Sequence, residues 1–232
     1  MISGSDGPIE TLFHSCPNNP SAPVVMLMPP HPEQEGGMHH PVMNSLFQVF
    51  ARLGFHVLRF NYRGTGRSGG VFTNGEGEVS DAATCLDWIQ NLQPSPSQFW
   101  VAGFSFGTFI ALQLLMRRPE CHNFIAVSPL ANMYDFSFLA PCPSPGLMVH
   151  GGMDTITPKE SVIRLAHQLS MQKRGHKITL NIIPDADHQY SQHQHALEAS
   201  IWNYVKARLN ADQLAGVQNI DPGDIALHKA LA

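Results

Sequence analysis

Hydrophobic and polar positions along this chain fall into two alternating kinds of segment. Short apolar runs have the length of buried strands. They are Val24–Met28, His56–Phe60, Phe99–Ala102, Phe124–Val127, Leu147–His150 and Ile178–Ile183. Longer segments repeat their apolar residues at helical spacing. They are Pro41–Leu53, Gly77–Leu92, Thr108–Arg117, Pro158–Gln172 and His193–Leu209.

Strands that alternate with helices predict parallel βαβ units. The expected fold is therefore α/β, a doubly wound and mostly parallel sheet with helices on both faces. A leading strand at Ile9–His14 is expected to pair antiparallel with Val24–Met28, through the Pro- and Asn-rich turn at Cys16–Ala22. The tetrapeptide Thr157-Pro158-Lys159-Glu160 predicts a capping box with proline at the first helical position.

The length and composition favour one globular domain. The chain has 232 residues, of which 43% are hydrophobic, enough to bury a core without disulfides or metals. We expect a single domain over residues 1–210. Residues 211–232, which contain Pro222-Gly223, are expected to form a flexible C-terminal tail.

The charge balance argues against nucleic-acid and membrane partners, and the cysteines indicate a cellular compartment. A net charge of −4 gives no reason to expect nucleic acid or an anionic membrane. The longest apolar stretches are too short to span a bilayer, and the N-terminus lacks the pattern of a signal peptide. The four cysteines are scattered without a CxxC pair, which favours a reducing, cytoplasmic location. Nothing in the composition indicates an oligomeric state.

The pattern G-x-S-x-G occurs twice, and its context distinguishes the two copies. Gly103-Phe-Ser105-Phe-Gly107 lies between a predicted strand and a predicted helix. A sharp turn there lifts the serine hydroxyl above the sheet. The other copy, centred on Ser68, is followed by a glycine-rich loop and no helix. Ser105 is therefore the predicted nucleophile.

A serine hydroxyl needs a base to accept its proton, and histidine is the usual one. His188 follows the last predicted strand, at the carboxyl end of the sheet where Ser105 also lies. His193 and His195 fall in the last helix and are interpreted as surface residues, not as ligands of a metal shared with His188. His150 lies inside a predicted strand and is interpreted as a packed core residue.

The base needs an acid that orients it, and Asp154 is the first choice. It follows the strand Leu147–His150, and its alternative role as a helix cap is assigned to Thr157. Asp135, after the preceding strand, is the alternative acid. Asp185 and Asp187 stand too close to His188 in the sequence to orient it.

Acyl transfer also needs N–H donors for the developing oxyanion. One is expected from the backbone of Phe106, which follows the nucleophile. The other is expected in the loop after Val24–Met28, where Pro32 has no N–H. Glu33 is the first choice there and Gln34 the second.

These motifs together resemble the α/β-hydrolase superfamily, and most closely its small, capless, dienelactone-hydrolase-like bacterial members. The resemblance covers residues 8–208. It is carried by His31-Pro32, Arg59–Ser68, Gly103–Gly107, Asp154 and His188, with the triad in the family's order. The chain departs from dienelactone hydrolases at Ser105, where those enzymes have cysteine, and at Pro32, where many relatives have glycine.

The resemblance implies a serine hydrolase, carboxylesterase-like, that cleaves a small ester or thioester without a cofactor or metal. Two other functions compete. The glycines of Gly64–Gly69 fit the G-x-G-x-x-G pattern of dinucleotide-binding oxidoreductases, but no helix is predicted to open there. A hydrolase fold used only for binding is the third hypothesis.

The segment Ser128–Gly146, between two predicted strands, is too short for a packed cap domain and contains four prolines. The site is therefore expected to be open and to prefer small or short-chain acyl groups. The aromatic residues Tyr134, Phe136 and Phe138 are expected either to line a shallow pocket or to fasten this segment to the core.

Overall fold

Nine strands are found in the computed structural model, which describes residues 1–16, 19–172 and 178–209. They are β1 (Ile2–Gly4), β2 (Gly7–Ile9), β3 (Thr11–His14), β4 (Val24–Met28), β5 (His56–Phe60), β6 (Phe99–Phe104), β7 (Cys121–Val127), β8 (Gly146–Gly151) and β9 (Ile178–Ile183). Strands β1 and β2 form a separate antiparallel hairpin. The other seven form one sheet in the order β3-β5-β4-β6-β7-β8-β9. All its neighbouring strands run parallel except β3 and β5.

Helices cover both faces of this sheet. They are α1 (Pro41–Arg52), α2 (Glu76–Leu92), α3 (Phe106–Arg117), α4 (Lys159–Ser170) and α5 (Gln194–Arg208). Helices α2, α3 and α4 share one apolar core with one face of the sheet, and α1 and α5 share a second core with the other face. Every residue of β4 is buried, as expected for a strand covered on both sides. Within the described ranges, no helix is long and apolar enough to cross a membrane.

The doubly wound α/β fold is confirmed, and the pairing of the leading strand is wrong. Strand β3 pairs antiparallel with β5, with Thr11 opposite Phe60, and not with β4. Both edges of β4 are occupied by parallel partners, β5 and β6, so β4 has no free edge for a third strand. The first hairpin, β1–β2, was not predicted. Its strands have three residues each, too short for a periodic pattern.

The predicted capping box at Thr157 is also wrong. Helix α4 begins at Lys159, its N-cap is Pro158, and no side chain caps it. The Thr157 hydroxyl donates instead to the side-chain oxygen of Asn132, at 2.9 Å. The predicted tail, residues 211–232, lies outside the described residues.

The segment between β7 and β8 forms no cap domain. Its only helical part is a single 3₁₀ turn, Ser137–Leu139. The Tyr134 ring stacks on Phe109 of α3 with centroids 4.7 Å apart, and Phe138 contacts the same ring edge-on at 5.8 Å. Phe136 is buried in the core. These aromatic side chains therefore fasten the segment to α3.

The glycine-rich loop after β5 is a structural element anchored by a buried glutamate. The Glu10 carboxylate accepts hydrogen bonds from Asn61 Nδ2 and from the backbone N–H and the Nε of Arg67, each at 2.9 Å. The Glu10 N–H donates to the Ser68 hydroxyl. Helix α2 begins only at Glu76, so no helix N-terminus follows Gly69 to receive a pyrophosphate. This geometry disfavours the dinucleotide hypothesis.

The Glu10 anchor predicts a pH-dependent contribution to stability. Burial raises the pKa of this carboxyl, but the hydrogen bonds from Arg67 and Asn61 outweigh burial and lower the pKa from 4.5 to about 2. Because the folded state holds the anion, the contribution is complete above about pH 4.5 and is lost as the pH falls towards 2. The Arg67 side chain is 82% exposed, so water weakens its ion pair.

We expect Glu10→Gln to lower the Tm at pH 7 by about 5 °C, a change typical of the loss of one or two kcal/mol in a chain of this size. The difference from the wild type should shrink below pH 4.5 and vanish near pH 2. Thermal melts followed by circular dichroism across this range measure it. The exposed Glu35, as Glu35→Gln, is the matched control. A Tm difference that persisted unchanged at pH 2.5 would contradict the assignment.

Candidate active site

Three loops at the carboxyl edge of the sheet bring Ser105, His188 and Asp154 into one hydrogen-bonded chain. Ser105 follows β6, Asp154 follows β8, and His188 follows β9. The Ser105 Oγ lies 3.1 Å from His188 Nε2, and His188 Nδ1 lies 2.7 Å from Asp154 Oδ2. Ser105 is 1% exposed, His188 4% and Asp154 8%. The structure therefore places the three predicted triad residues together, nearly shielded from water.

Ser105 occupies a sharp turn between β6 and α3. Its backbone has φ 55° and ψ −121°, in the left-handed half of conformational space, where an L-residue is strained by about 1–3 kcal/mol. The turn is possible because Gly103 and Gly107 have no side chains. A Cβ on Gly103 would overlap the carbonyl oxygen of Gly107, and a Cβ on Gly107 would overlap that of Met28. The Ser105 N–H donates to the Val127 carbonyl at 2.9 Å, which fixes the turn to β7.

Asp154 uses its two carboxylate oxygens for different tasks. Oδ1 accepts the backbone N–H groups of Ile156 and Thr157, at 2.8 and 2.9 Å, while Oδ2 faces His188. Burial raises the pKa of Asp154, but the hydrogen bonds from His188 and the Thr157 N–H outweigh it and hold the pKa below its usual value. Asp154 therefore stabilises its own turn and orients the histidine. The expectation that Thr157 would take over the local capping role and leave Asp154 without one is wrong, because Asp154 itself binds these N–H groups.

The tautomer of His188 follows from its neighbours. An ionised carboxylate only accepts hydrogen bonds, so Nδ1 carries the proton that faces Asp154. This leaves the lone pair of Nε2 free to accept the Ser105 hydroxyl. The ring packs against Phe104 at 5.3 Å, and the His188 carbonyl accepts the Ser128 hydroxyl at 3.1 Å. The imidazole is therefore held on three sides in the orientation that a general base requires.

The other candidates lie in places that do not support catalysis. The Ser68 hydroxyl donates to the Asn61 carbonyl and accepts from Glu10, so it is engaged within its loop. Asp135 is exposed and accepts the N–H and the hydroxyl of Ser137. His195 is exposed on α5. Within the described ranges, no group of three or more His, Cys, Asp or Glu is placed to hold a metal ion.

The loop after β4 directs its N–H groups differently from the prediction. The Glu33 N–H donates to the ring of its neighbour His31 at 3.2 Å, and the Gln34 N–H donates to the His31 carbonyl at 2.8 Å. Glu33 and Gln34, the two donors expected in this loop, therefore already have acceptors for their N–H groups. In the described part of the chain, the His31 and Phe106 N–H groups have none. The His31 ring packs on Phe106 with centroids 5.4 Å apart, so these two residues lie side by side.

Sequence reasoning missed several polar residues around the triad. Ser128 and Tyr190 both have positive φ, 48° and 56°, and their hydroxyls lie 3.1 Å apart beneath the His188 loop. His40 stacks on Phe104 at 4.9 Å, and burial together with the charge of His188 lowers its pKa to about 4. His150 was correctly placed in the core, but its contact with the acid was not foreseen. No short motif marks any of these positions.

Known proteins resemble this chain in sequence over most of its length. The chain matches the family model described as X-Pro dipeptidyl-peptidase (S15 family) over residues 14–216. It is 41% identical to an uncharacterized protein of Rickettsia prowazekii (strain Madrid E) over 207 residues, which are 88% of this chain and 87% of that protein.

Two solved structures are similar over most of their length. An α/β-hydrolase-like protein of unknown function from Agrobacterium tumefaciens is 42% identical, with a TM-score of 0.86 over 92% of this chain and 97% of that one. An α/β serine hydrolase without lid from Xanthomonas campestris is 27% identical, with a TM-score of 0.81 over 90% and 94% of the two chains.

Proposed function

This chain belongs to the X-Pro dipeptidyl-peptidase (S15) family and is a capless α/β serine hydrolase; on that premise we propose that it cleaves small carboxylic esters or thioesters through an acyl-enzyme on Ser105. The observation that carries the proposal is the buried chain of hydrogen bonds from Ser105 through His188 to Asp154. This arrangement activates a hydroxyl that is otherwise a poor nucleophile.

Each group of the triad has one task in the proposed reaction. The Ser105 Oγ attacks the acyl carbon while its proton passes to His188 Nε2. The tetrahedral intermediate expels the alcohol or thiol, which takes that proton from His188. Water then attacks the acyl-enzyme by the same route and releases the acid. Asp154 stays ionised and stabilises the imidazolium that forms twice in the cycle.

We assign the oxyanion hole to the backbone N–H groups of Phe106 and His31. Phe106 is the first residue of α3, so its N–H has no partner within the helix. His31 supplies the only N–H of the segment 29–32, because Pro29, Pro30 and Pro32 have none. Each oxyanion donor of this kind contributes on the order of 3 kcal/mol to the transition state. His31 therefore replaces Glu33 in the proposed mechanism.

Peptide hydrolysis is the second candidate, and the description of the matching family model favours it. The same triad cleaves an amide when His188 protonates the departing amine. We place esters first because their hydrolysis needs less catalysis, since an alkoxide leaves the tetrahedral intermediate more readily than an amine does. A direct comparison of the two substrate classes distinguishes the candidates.

The room beside the nucleophile favours a small acyl group. Ser105 is 1% exposed, and no cap domain lies between β7 and β8 to build an apolar wall for a long chain. Each methylene of a substrate that stays in water forgoes about 0.8 kcal/mol of binding. Extending the acyl chain therefore brings little gain in affinity.

We expect kcat/KM for p-nitrophenyl esters to peak at acetate or butyrate and not to rise towards palmitate. The p-nitroanilides of X-Pro dipeptides, assayed in parallel, should react far more slowly. Steady-state release of nitrophenol or nitroaniline measures both series. Faster cleavage of the X-Pro anilides would establish the peptidase, and a preference for palmitate with activation at a lipid–water interface would refute the short-chain proposal. No turnover of any ester or anilide would favour a binding role.

A further inference from the structure

A second histidine lies behind the acid of the triad. His150 is the penultimate residue of β8 and is fully buried. Its Nε2 lies 2.9 Å from the Thr157 carbonyl oxygen and 3.7 Å from Asp154 Oδ2. The mechanism above assigns no task to this side chain, although it is a titratable group within 4 Å of the Asp154 carboxylate.

The contacts of His150 determine its tautomer. A carbonyl oxygen only accepts hydrogen bonds, so Nε2 carries the proton and donates it to Thr157. The lone pair of Nδ1 is then buried, and no partner for it is found among the described residues. Leaving a buried acceptor unpaired costs free energy that an apolar side chain would avoid. A histidine at this position therefore needs a favourable interaction that offsets this cost. The structure provides one, the hydrogen bond from Nε2–H to the Thr157 carbonyl.

Three ionisable groups on neighbouring elements face this ring. Asp154 in the turn after β8 and Glu160 on α4 favour its protonation, and His188 in the loop after β9 opposes it. Burial is the largest influence and lowers the pKa of His150. The ring is thus neutral at pH 7, and it acts through its N–H group and not through a charge.

Thr157 connects His150 to the acid. Its N–H donates to Asp154 Oδ1, and its carbonyl accepts from His150. Thr157 is therefore held by two hydrogen bonds: its N–H binds Asp154, and its carbonyl binds His150 of β8. A strand in a seven-stranded sheet is a rigid support, whereas the turn after it is not. The bond from His150 fixes the turn to the strand, and the turn fixes the carboxylate.

We propose that His150 is a positioning residue, which holds the turn 154–157 so that Asp154 Oδ2 stays directed at His188. This inference rests on the proposed function, since it gives His150 a role in the same reaction. His150 touches neither the substrate nor the nucleophile in this role.

Two variants of His150 and one matched control test the proposal. His150→Leu removes the N–H at similar volume. His150→Gln keeps an N–H donor at the position of Nε2. The control is His56→Leu, because His56 is also a buried strand histidine with an unpaired nitrogen, but lies at the opposite, amino end of the sheet. Thermal melts of all variants identify the temperatures at which each stays folded.

We expect His150→Leu to lower kcat by about ten- to hundredfold, the effect of a small misplacement of a catalytic group, with KM changed less than about twofold. The acid limb of the pH–rate profile should move to lower pH, because a loosely held carboxylate stabilises the His188 imidazolium less. The low-field proton NMR signal of the His188 Nδ1–H should weaken or broaden. His150→Gln should recover most of the activity and the signal, and His56→Leu should change the Tm alone.

Other outcomes would overturn the proposal. A His150→Leu variant with wild-type kcat, or one whose acid limb and low-field signal match the wild type although kcat falls, would make His150 a purely structural residue. So would equal losses in the Gln and Leu variants. The NMR signal needs no substrate, so it tests His150 even if the wild type fails to hydrolyse esters, which would refute the proposed function alone.

Discussion

Ser105→Ala is expected to lower kcat for p-nitrophenyl butyrate by at least about 10⁴-fold, with the fold retained. The loss follows because no other hydroxyl lies within hydrogen-bond distance of His188 Nε2 in the described part of the chain. Replacing the nucleophile of a triad costs as much as removing the triad, because the members act as a unit. Removing the hydroxyl leaves the buried backbone of the turn unchanged. Circular dichroism checks the fold, and steady-state kinetics measure the loss.

Covalent labelling identifies the reacting atom independently. A fluorophosphonate should form an adduct with the wild type, and mass spectrometry should locate it on Ser105. The matched control is Ser68→Ala, at the centre of the second G-x-S-x-G pattern. Its hydroxyl bridges Glu10 and Asn61, so this variant should lose stability but keep its labelling. An adduct on Ser68, or undiminished labelling of Ser105→Ala, would remove Ser105 from the mechanism.

Asp154→Asn is expected to lower kcat by about 10²–10⁴-fold at neutral pH. The substitution removes the charge that stabilises the His188 imidazolium. It also introduces a conflict of hydrogen bonds, because an amide has only one oxygen for three donors: the N–H groups of Ile156 and Thr157 and the Nδ1–H of His188. If the amide nitrogen faces His188, the ring must present its lone pair there and cannot accept the Ser105 proton. Kinetics across pH 5–9 measure the effect.

The control for this variant is Asp135→Asn. Asp135 is exposed and bonded only within its own turn, so its replacement should change kcat less than about twofold. A larger loss in Asp135→Asn than in Asp154→Asn would transfer the role of the acid to the loop after β7. Phosphonate labelling should slow in parallel with kcat in Asp154→Asn, because both reactions need the same activated hydroxyl.

The sequence predicted the order of β4–β9 and the helices between them, and it selected the three residues that the structure brings together, because both depend on local patterns. Apolar runs of strand length mark β4–β9, and the carboxyl ends of parallel strands meet at one edge of a sheet. The partner of β3 depends instead on which strand edge remains free after the parallel strands have paired. No pattern within Thr11–His14 carries that information.

The proposed second oxyanion donor, His31, differs from the expected Glu33 for a related reason. Glu33 was chosen because its N–H is the first after Pro32, but that N–H is turned towards the ring of His31. The direction of a backbone N–H depends on dihedral angles that a run of prolines constrains without specifying. The contact between His150 and Thr157 was likewise invisible, since it joins residues seven positions apart across a turn of unknown shape.

The triad spans the two helical layers of the molecule. Ser105 and Asp154 lead into α3 and α4, which pack on one face of the sheet, and His188 leads into α5 on the other. In the proposed mechanism, proton transfer between Ser105 and His188 therefore depends on the relative position of two apolar cores that lie on opposite faces of the sheet. Hydrolysis accordingly reports on cooperativity between the layers. A small shift of either helical layer against the sheet would separate Ser105 from His188 and abolish the proposed activity. Most of the secondary structure, and most of the circular dichroism signal, would persist.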